Sequence, residues 1–190
     1  MSDRSPVSVV IPTYNSQGTI HRAVSSVLAQ TSQPLEIIVV DDGSIDSTVS
    51  TVEHLSRSLS PGFLKFVRLE SNHGCYYARN VGWDLAGGEF LALLDADDSW
   101  HPRKLEIQAR YMLQHTDVVL TGHRCSYIAN ERAVPNIPAN WSVSRMSSSR
   151  LLMFWCDLCT PSLMVRREFP FRFDAAKRFS GDRLFLLQVA

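Results

Sequence analysis

The run Phe90-Leu91-Ala92-Leu93-Leu94, followed at once by Asp95-Ala96-Asp97-Asp98, constrains the fold more than any other stretch. An uninterrupted apolar run of this length fits a strand buried on both faces, as in a parallel sheet. The carboxylates cannot follow it inside, because an unpaired buried charge is too costly. They gather where the strand emerges, and there they repel one another unless a cation joins them. Asp-x-Asp offers hard oxygens suited to Mg2+ or Mn2+, with part of the coordination shell left for water and phosphate. The plain alternative is a solvated acidic turn in which Asp98 or Ser99 caps the next helix.

The same alternation recurs along the chain. Val7 to Ile11 is an apolar, β-branched run that Pro12 should end. Ile20, Ala23, Val24, Val27 and Leu28 then trace one helical stripe, with Asn15 or Ser16 placed to cap it. Leu35 to Val40 is a buried strand leading into Asp41-Asp42-Gly43-Ser44. Val49, Val52 and Leu55 mark the helix after it, with Asp46 as its cap. Phe63 to Leu69 carries Lys65 and Arg68 and reads as a strand near an edge. Tyr77, Val81 and Leu85 give the next helix its apolar face, and Gly87-Gly88 stops it. Pro102 stands where a further helix begins, with Leu105, Ala109, Met112 and Leu113 inward. Asp117 to Thr121 is another short strand.

Alternating strands and helices with short connections specify an α/β doubly wound, mostly parallel sheet. Ligands of such sheets lie beyond the carboxyl ends of the strands. Tyr14, Asp41, Asp42, Asn72 and the Asp95–Asp98 group should therefore converge. After Thr121 the periodicity fades. Residues 130–149 read as a long loop, Leu151 to Trp155 as the opening of a helix, Ser162 to Val165 as a strand and Ser180 to Val189 as a helix.

Composition narrows the function classes. The formal net charge is zero, which leaves no electrostatic footprint for nucleic acid. The residues from Met1 to Pro6 hold no apolar core of a secretory signal, and no apolar run approaches the ~20 residues of a membrane helix. The expected location is the cytoplasm, with peripheral membrane contact left open. Cys75, Cys125, Cys156 and Cys159 do not look like a disulfide framework in a chain this long. Trp155-Cys156-Asp157-Leu158-Cys159 has the spacing of a thiol–disulfide motif but stands late in the chain, and zinc would need two more ligands. Buried cysteines acting as small core residues are the simpler reading.

No Gly-x-Gly-x-x-Gly follows the first strand, and no Walker-type loop is present. A nucleotide would need other contacts. Tyr14, just past a strand, is placed to stack on a base. Asp42 is placed to accept N–H groups from uracil or guanine. Their plain alternatives are packing for Tyr14 and a turn or helix cap for Asp42.

Four stretches in order then carry a resemblance: Val9-Val10-Ile11-Pro12-Thr13-Tyr14-Asn15, Ile38-Val39-Val40-Asp41-Asp42-Gly43-Ser44, Ala78-Arg79-Asn80-Val81-Gly82 and Leu94-Asp95-Ala96-Asp97-Asp98. Together they resemble the family 2 glycosyltransferases of GT-A fold. The likeness runs more weakly through Thr160–Arg167 to Gly181-Asp182. It implies inverting transfer of a sugar from a UDP- or GDP-sugar to the hydroxyl of a sugar, glycan or lipid-linked acceptor, in cell-surface polysaccharide or glycoconjugate synthesis. By that resemblance Pro12 and Tyr14 line the base pocket, Asp42 binds the base and Arg79 lies in a nucleotide-contacting segment. Asp95 touches the ribose, and Asp97 coordinates Mn2+ or Mg2+ on the diphosphate. Asp182 is the catalytic base, although Gly181 stands where the family usually has an acidic neighbour. Residues 1–190 are expected to form one domain, with 1–125 the nucleotide-binding half and 126–190 the start of an acceptor-side half cut short at Ala190.

Two rivals remain at this level. A haloacid-dehalogenase-like phosphotransferase also has an apolar strand before Asp-x-Asp, but that strand normally comes first in the core. A non-catalytic nucleotide-sugar-binding module would need no acceptor site.

Overall fold

The computed structural model describes residues 4–125, 143–144, 158–177 and 185–186. Among the described residues, six strands form one sheet: β1 (Ser5–Thr13), β2 (Pro34–Asp41), β3 (Leu64–Arg68), β4 (Phe90–Leu93), β5 (Leu120–Thr121) and β6 (Met164–Arg166). Their order is β3-β2-β1-β4-β6-β5. The helices are α1 (Ile20–Leu28), α2 (Thr48–Arg57), α3 (Cys75–Leu85) and α4 (Lys104–Gln114). Strands β1 to β4 pair in parallel, whereas β6 runs antiparallel to both β4 and β5. The mixed α/β sheet agrees with the doubly wound expectation.

The sheet separates two cores. On one face Val7, Val9 and Ile11 meet Ile20, Val24 and Val27 of α1, Val52 and Leu55 of α2, and Leu105 and Met112 of α4. Each fully buried aliphatic side chain of this kind contributes about 1.5–3 kcal/mol. On the other face Val10, Ile38, Val40 and Leu93 meet Tyr76, Ala78 and Trp83 of α3, with Phe173 and Phe185 beside them. Strands whose both faces are covered are mostly apolar, which is why these runs show little alternation.

Three details depart from the sequence reading. Pro12 lies inside β1, paired with Val40, instead of ending the strand. The Leu94 N–H donates to Val10 O, so Val10 points its backbone groups toward β4. Two residues on, Pro12 points the same way, past the end of β4 at Leu93. A missing N–H there breaks no ladder bond. The inward face of α3 is also turned. Tyr77 and Leu85 are exposed, while Tyr76, Arg79, Gly82 and Trp83 are buried. The helix sits so close on β1 that a Cβ at Gly82 would come within 2.4 Å of Val10 Cγ1. The Trp83 indole fills the neighbouring space and donates to Arg167 O at 3.0 Å. In α4, Leu113 is likewise exposed.

Cys125 and Cys159 form a disulfide, contrary to the expectation of isolated core cysteines. Distant in sequence, they meet because antiparallel β6 brings the residues before it beside the residues after β5. Cys156, the Leu151–Trp155 segment and most of 126–157 lie outside the described residues, as do Gly181 and Asp182.

Candidate functional site

The chain climbs from β1 to β2 to β3 on one side, then jumps across β1 to β4. The point where the order reverses is the gap between the carboxyl ends of β1 and β4, and a crevice opens there. It holds about 520 Å³. Pro12 and Tyr14 form its β1 side, Cys75 and Arg79 come from α3, and Asp95 and Asp97 from the exit of β4. Tyr14 is exposed, so its ring face is free to receive a planar group.

The walls are cross-stitched. Asn15 takes a left-handed backbone, tolerated by its short side chain. Its N–H donates to Ser44 Oγ at 2.8 Å, and its Oδ1 accepts the Ile45 N–H at 3.0 Å. The Ser16 N–H donates to Thr48 Oγ1 at 2.7 Å. Asp46 accepts the N–H groups of Thr48 and Gln17 from one residue before Ser47, the N-cap position of α2. The loops after β1 and β2 therefore hold each other. Gly43 has a φ of 78° and packs against the turn after β3, where a Cβ would lie 2.8 Å from the Ser71 carbonyl carbon.

The expected residues divide into two groups. Pro12, Tyr14, Arg79, Asp95 and Asp97 share the crevice. Asp41, Asp42 and Asn72 do not line it. Asp42 is 2% exposed, and its oxygens accept the His73 N–H at 2.8 Å and the Gly74 N–H at 2.7 Å. It braces the turn leading into α3. Asp41 accepts the Ser44 N–H at 3.1 Å, and its other oxygen is buried without a hydrogen-bond partner. Asp182 falls outside the described residues. The alternative acid, Asp174, accepts the Ala176 N–H at 3.0 Å within a turn.

The electrostatics centre on Arg79. Its buried guanidinium pairs with the Asp95 carboxylate and lies over the rings of Tyr76 and Phe173. Burial opposes its charge, but Asp95 more than offsets this and raises its pKa. Asp97 is exposed on the crevice rim. Asp98 is pushed above the usual carboxylate range, first by burial and then by the charges of Asp95 and Asp97. Two residues not singled out in the sequence support this loop. Arg22 of α1 donates to Asp97 O at 2.5 Å. Trp100 is buried and donates to Pro161 O at 2.8 Å. A buried Trp with a satisfied N–H is a common anchor. Nothing in the local pattern connected Trp100 with residues so far along the chain.

Among the described residues, no three His, Cys, Asp or Glu side chains gather into a closed metal cage. Asp97 instead offers a hard carboxylate on an open rim, with Asp95 beside it held by Arg79. That suits Mg2+ or Mn2+ bound by one or two carboxylates together with substrate phosphates.

The strand order and the crevice at the switch point define an α/β domain of GT-A type. The family model described as glycosyl transferase family 2 matches residues 8–173, and the chain belongs to that family. Membership removes the phosphotransferase alternative. The chain is similar to the UDP-Glc:alpha-D-GlcNAc-diphosphoundecaprenol beta-1,3-glucosyltransferase WfgD of Escherichia coli, with 38% identity over 62% of this chain and 45% of that one. It is also similar to the crystal structure of S. aureus TarS 1-349 in complex with UDP, at a TM-score of 0.76 and 26% identity over 96% of this chain and 54% of that one. The mannosyltransferase PcManGT of Pyrobaculum calidifontis, in complex with GDP-Man and Mn2+, matches at a TM-score of 0.57 and 27% identity over 65% of this chain and 37% of that one. The chain spans about half the length of the curated relatives it matches.

Proposed function

We propose that this chain is the nucleotide-sugar-binding part of an inverting glycosyltransferase. It would use a UDP- or GDP-sugar and a sugar, glycan or lipid-linked acceptor, in cytoplasmic synthesis of a cell-surface polysaccharide or glycoconjugate. The observation that carries the reading is the crevice between β1 and β4, in which Tyr14, Arg79, Asp95 and Asp97 share one lining. WfgD is named for UDP-Glc and an undecaprenol-linked sugar, TarS binds UDP, and PcManGT binds GDP-Man with Mn2+.

The assignment of parts follows the chemistry. Tyr14 stacks on the base beside Pro12. Asp95, held by Arg79, faces the ribose. Asp97 holds Mn2+ or Mg2+ on the diphosphate, where the metal neutralises the charge that develops on the leaving group. Asp42 reads the base only by sharing oxygens that already serve the His73 and Gly74 amides. Asp182 removes the proton from the acceptor hydroxyl on the opposite face of the sugar.

The test is calorimetric titration with UDP, GDP and their sugars, with Mn2+ and with chelator. Tight binding of one nucleotide only with the metal, followed by transfer or slow donor hydrolysis, is the expected result. Binding with neither would favour a non-catalytic module. No nucleotide binding at all would overturn the reading.

A further inference from the structure

The Cys125–Cys159 disulfide has no part in the chemistry described so far, yet it lies at the carboxyl edge of the sheet. Cys125 follows β5 and is exposed, whereas Cys159 is half-buried and directly precedes a 3-10 turn, Thr160–Ser162. A bridge between Arg124 and Leu158 runs beside the bond. The turn is bound to Cys159 itself, whose carbonyl accepts the Ser162 N–H at 2.9 Å and the Ser162 hydroxyl at 2.7 Å. All three turn residues are buried.

From that turn a chain of contacts leads to Trp100, which follows the acidic rim in the chain. Pro161 O accepts the Trp100 indole N–H at 2.8 Å, and Ser162 O accepts the Gln108 amide at 2.9 Å. Gln108 Oε1 accepts from the Lys104 ammonium, which also lies 4.2 Å from the centre of the Trp100 ring. Trp100 stands two residues beyond Asp98. The disulfide thus secures the turn that anchors Trp100, and Trp100 anchors the end of the Asp95–Asp98 loop.

We propose that Cys125–Cys159 is a redox switch acting on that loop. When closed, the bond braces the turn and keeps the aspartates preorganised for a metal–diphosphate. When open, it releases the brace and weakens donor binding. The consequence for the donor rests on the function proposed above, and so does the regulatory sense. In a reducing compartment a disulfide is usually transient and redox-sensing, not a permanent staple.

The exchange balances with a protein dithiol as reductant. Its thiolate attacks the exposed Cys125 sulfur, an intermolecular disulfide forms, and Cys159 leaves as a thiolate that takes up a proton. The second thiol of the reductant then displaces Cys125 as a thiol and leaves the reductant as a disulfide, two electrons having passed to this chain. Re-closure uses a peroxide. The Cys125 thiolate takes one oxygen of hydrogen peroxide as the O–O bond breaks and hydroxide leaves to be protonated; the Cys159 thiol then attacks the sulfenic sulfur, forming the disulfide and releasing water.

The experiment compares the peroxide-closed and dithiothreitol-opened forms of the chain. Non-reducing peptide mapping should find Cys125 joined to Cys159 in the closed form. Amide hydrogen exchange over residues 94–101 should be slower when the bond is closed. Mn2+–UDP should bind the closed form about fivefold more tightly, at the low end of allosteric couplings. Cys125→Ser, a change at an exposed position, should match the open form and ignore dithiothreitol, with its melting curve as the folding control. Equal exchange in the two forms overturns the switch. So does a Cys125 joined to another cysteine, or a bound zinc in place of the disulfide. Slower exchange in the closed form without UDP binding in either form supports the brace and overturns the donor reading instead.

Discussion

Arg79, on the buried face of α3, closes its guanidinium on the carboxylate of Asp95 at the exit of β4. The pair joins two of the elements that line the crevice. Asp95→Asn would leave a buried guanidinium without its counter-charge. The expected cost is about 2–3 kcal/mol, less than the 3–5 of a wholly buried pair because water still reaches Asp95. Denaturant unfolding measures this, and an unchanged midpoint would show that the pair contributes nothing.

Asp97→Ala should leave the melting temperature unchanged or slightly higher. The side chain is exposed and adds to the repulsion that pushes Asp98 up. The same change should erase the advantage that Mn2+ gives to nucleotide binding. Calorimetry in metal and in chelator checks it, and a surviving metal effect would place the cation elsewhere.

Asp42→Asn tests which of two roles dominates. From the sequence, nucleotide binding should fall more than stability. The bonds from His73 and Gly74 change that expectation, because an amide keeps only one acceptor oxygen for two N–H groups. Stability should drop by about 1–3 kcal/mol, with binding falling in parallel. Weakened binding at an unchanged melting point would show direct contact with the base and no bracing.

Glu36 gives a pH signature remote from the crevice. Burial pushes its carboxyl up, but hydrogen bonds from Lys65, the Gly87 amide and the Ser8 hydroxyl outweigh that and leave it below the ordinary 4.5. A lowered carboxylate pKa stabilises the fold above 4.5, and the contribution is lost as pH falls through the folded value. Glu36→Gln should therefore cost about 2 kcal/mol at pH 7. The curves of variant and parent should converge in acid, and parallel curves down to low pH would contradict the assignment.

Asp182→Asn should preserve nucleotide and metal affinity and lower turnover by ~10²–10⁴, the range for losing a general base. Collapse in Asp174→Asn with near-normal turnover in Asp182→Asn would move the role to Asp174.

Much of the fold was legible because its central strands are buried on both faces. Val7–Ile11, Leu35–Val40 and Phe90–Leu94 are apolar in such a sheet except at Ser8 and Glu36, whose buried polar atoms hydrogen-bond each other. The face of α3 was misread because Gly82 and Arg79 point inward. A helix pressed against β1 needs a residue without a side chain, and the buried cation is explained only by Asp95. Apolar periodicity records neither. The crowded charge of Asp95 and Asp97 at a strand end was visible in the sequence, and both line the crevice. The occupation of Asp42 by the turn after β3, the Trp100 anchor and the Cys125–Cys159 bond all join distant segments, and no local pattern encodes such pairings.

The antiparallel place of β6 also sets an order of assembly on the ribosome. Among the described residues, strand β5 pairs only with β6, Leu120 opposite Val165. When β5 leaves the exit tunnel its neighbour has not yet been made. The four parallel strands can dock first, with β4 left as an open edge that only late-emerging residues cover. An exposed apolar edge of that kind invites wrong pairing. Nascent chains arrested before Arg166 should therefore depend on chaperones far more than chains released after it.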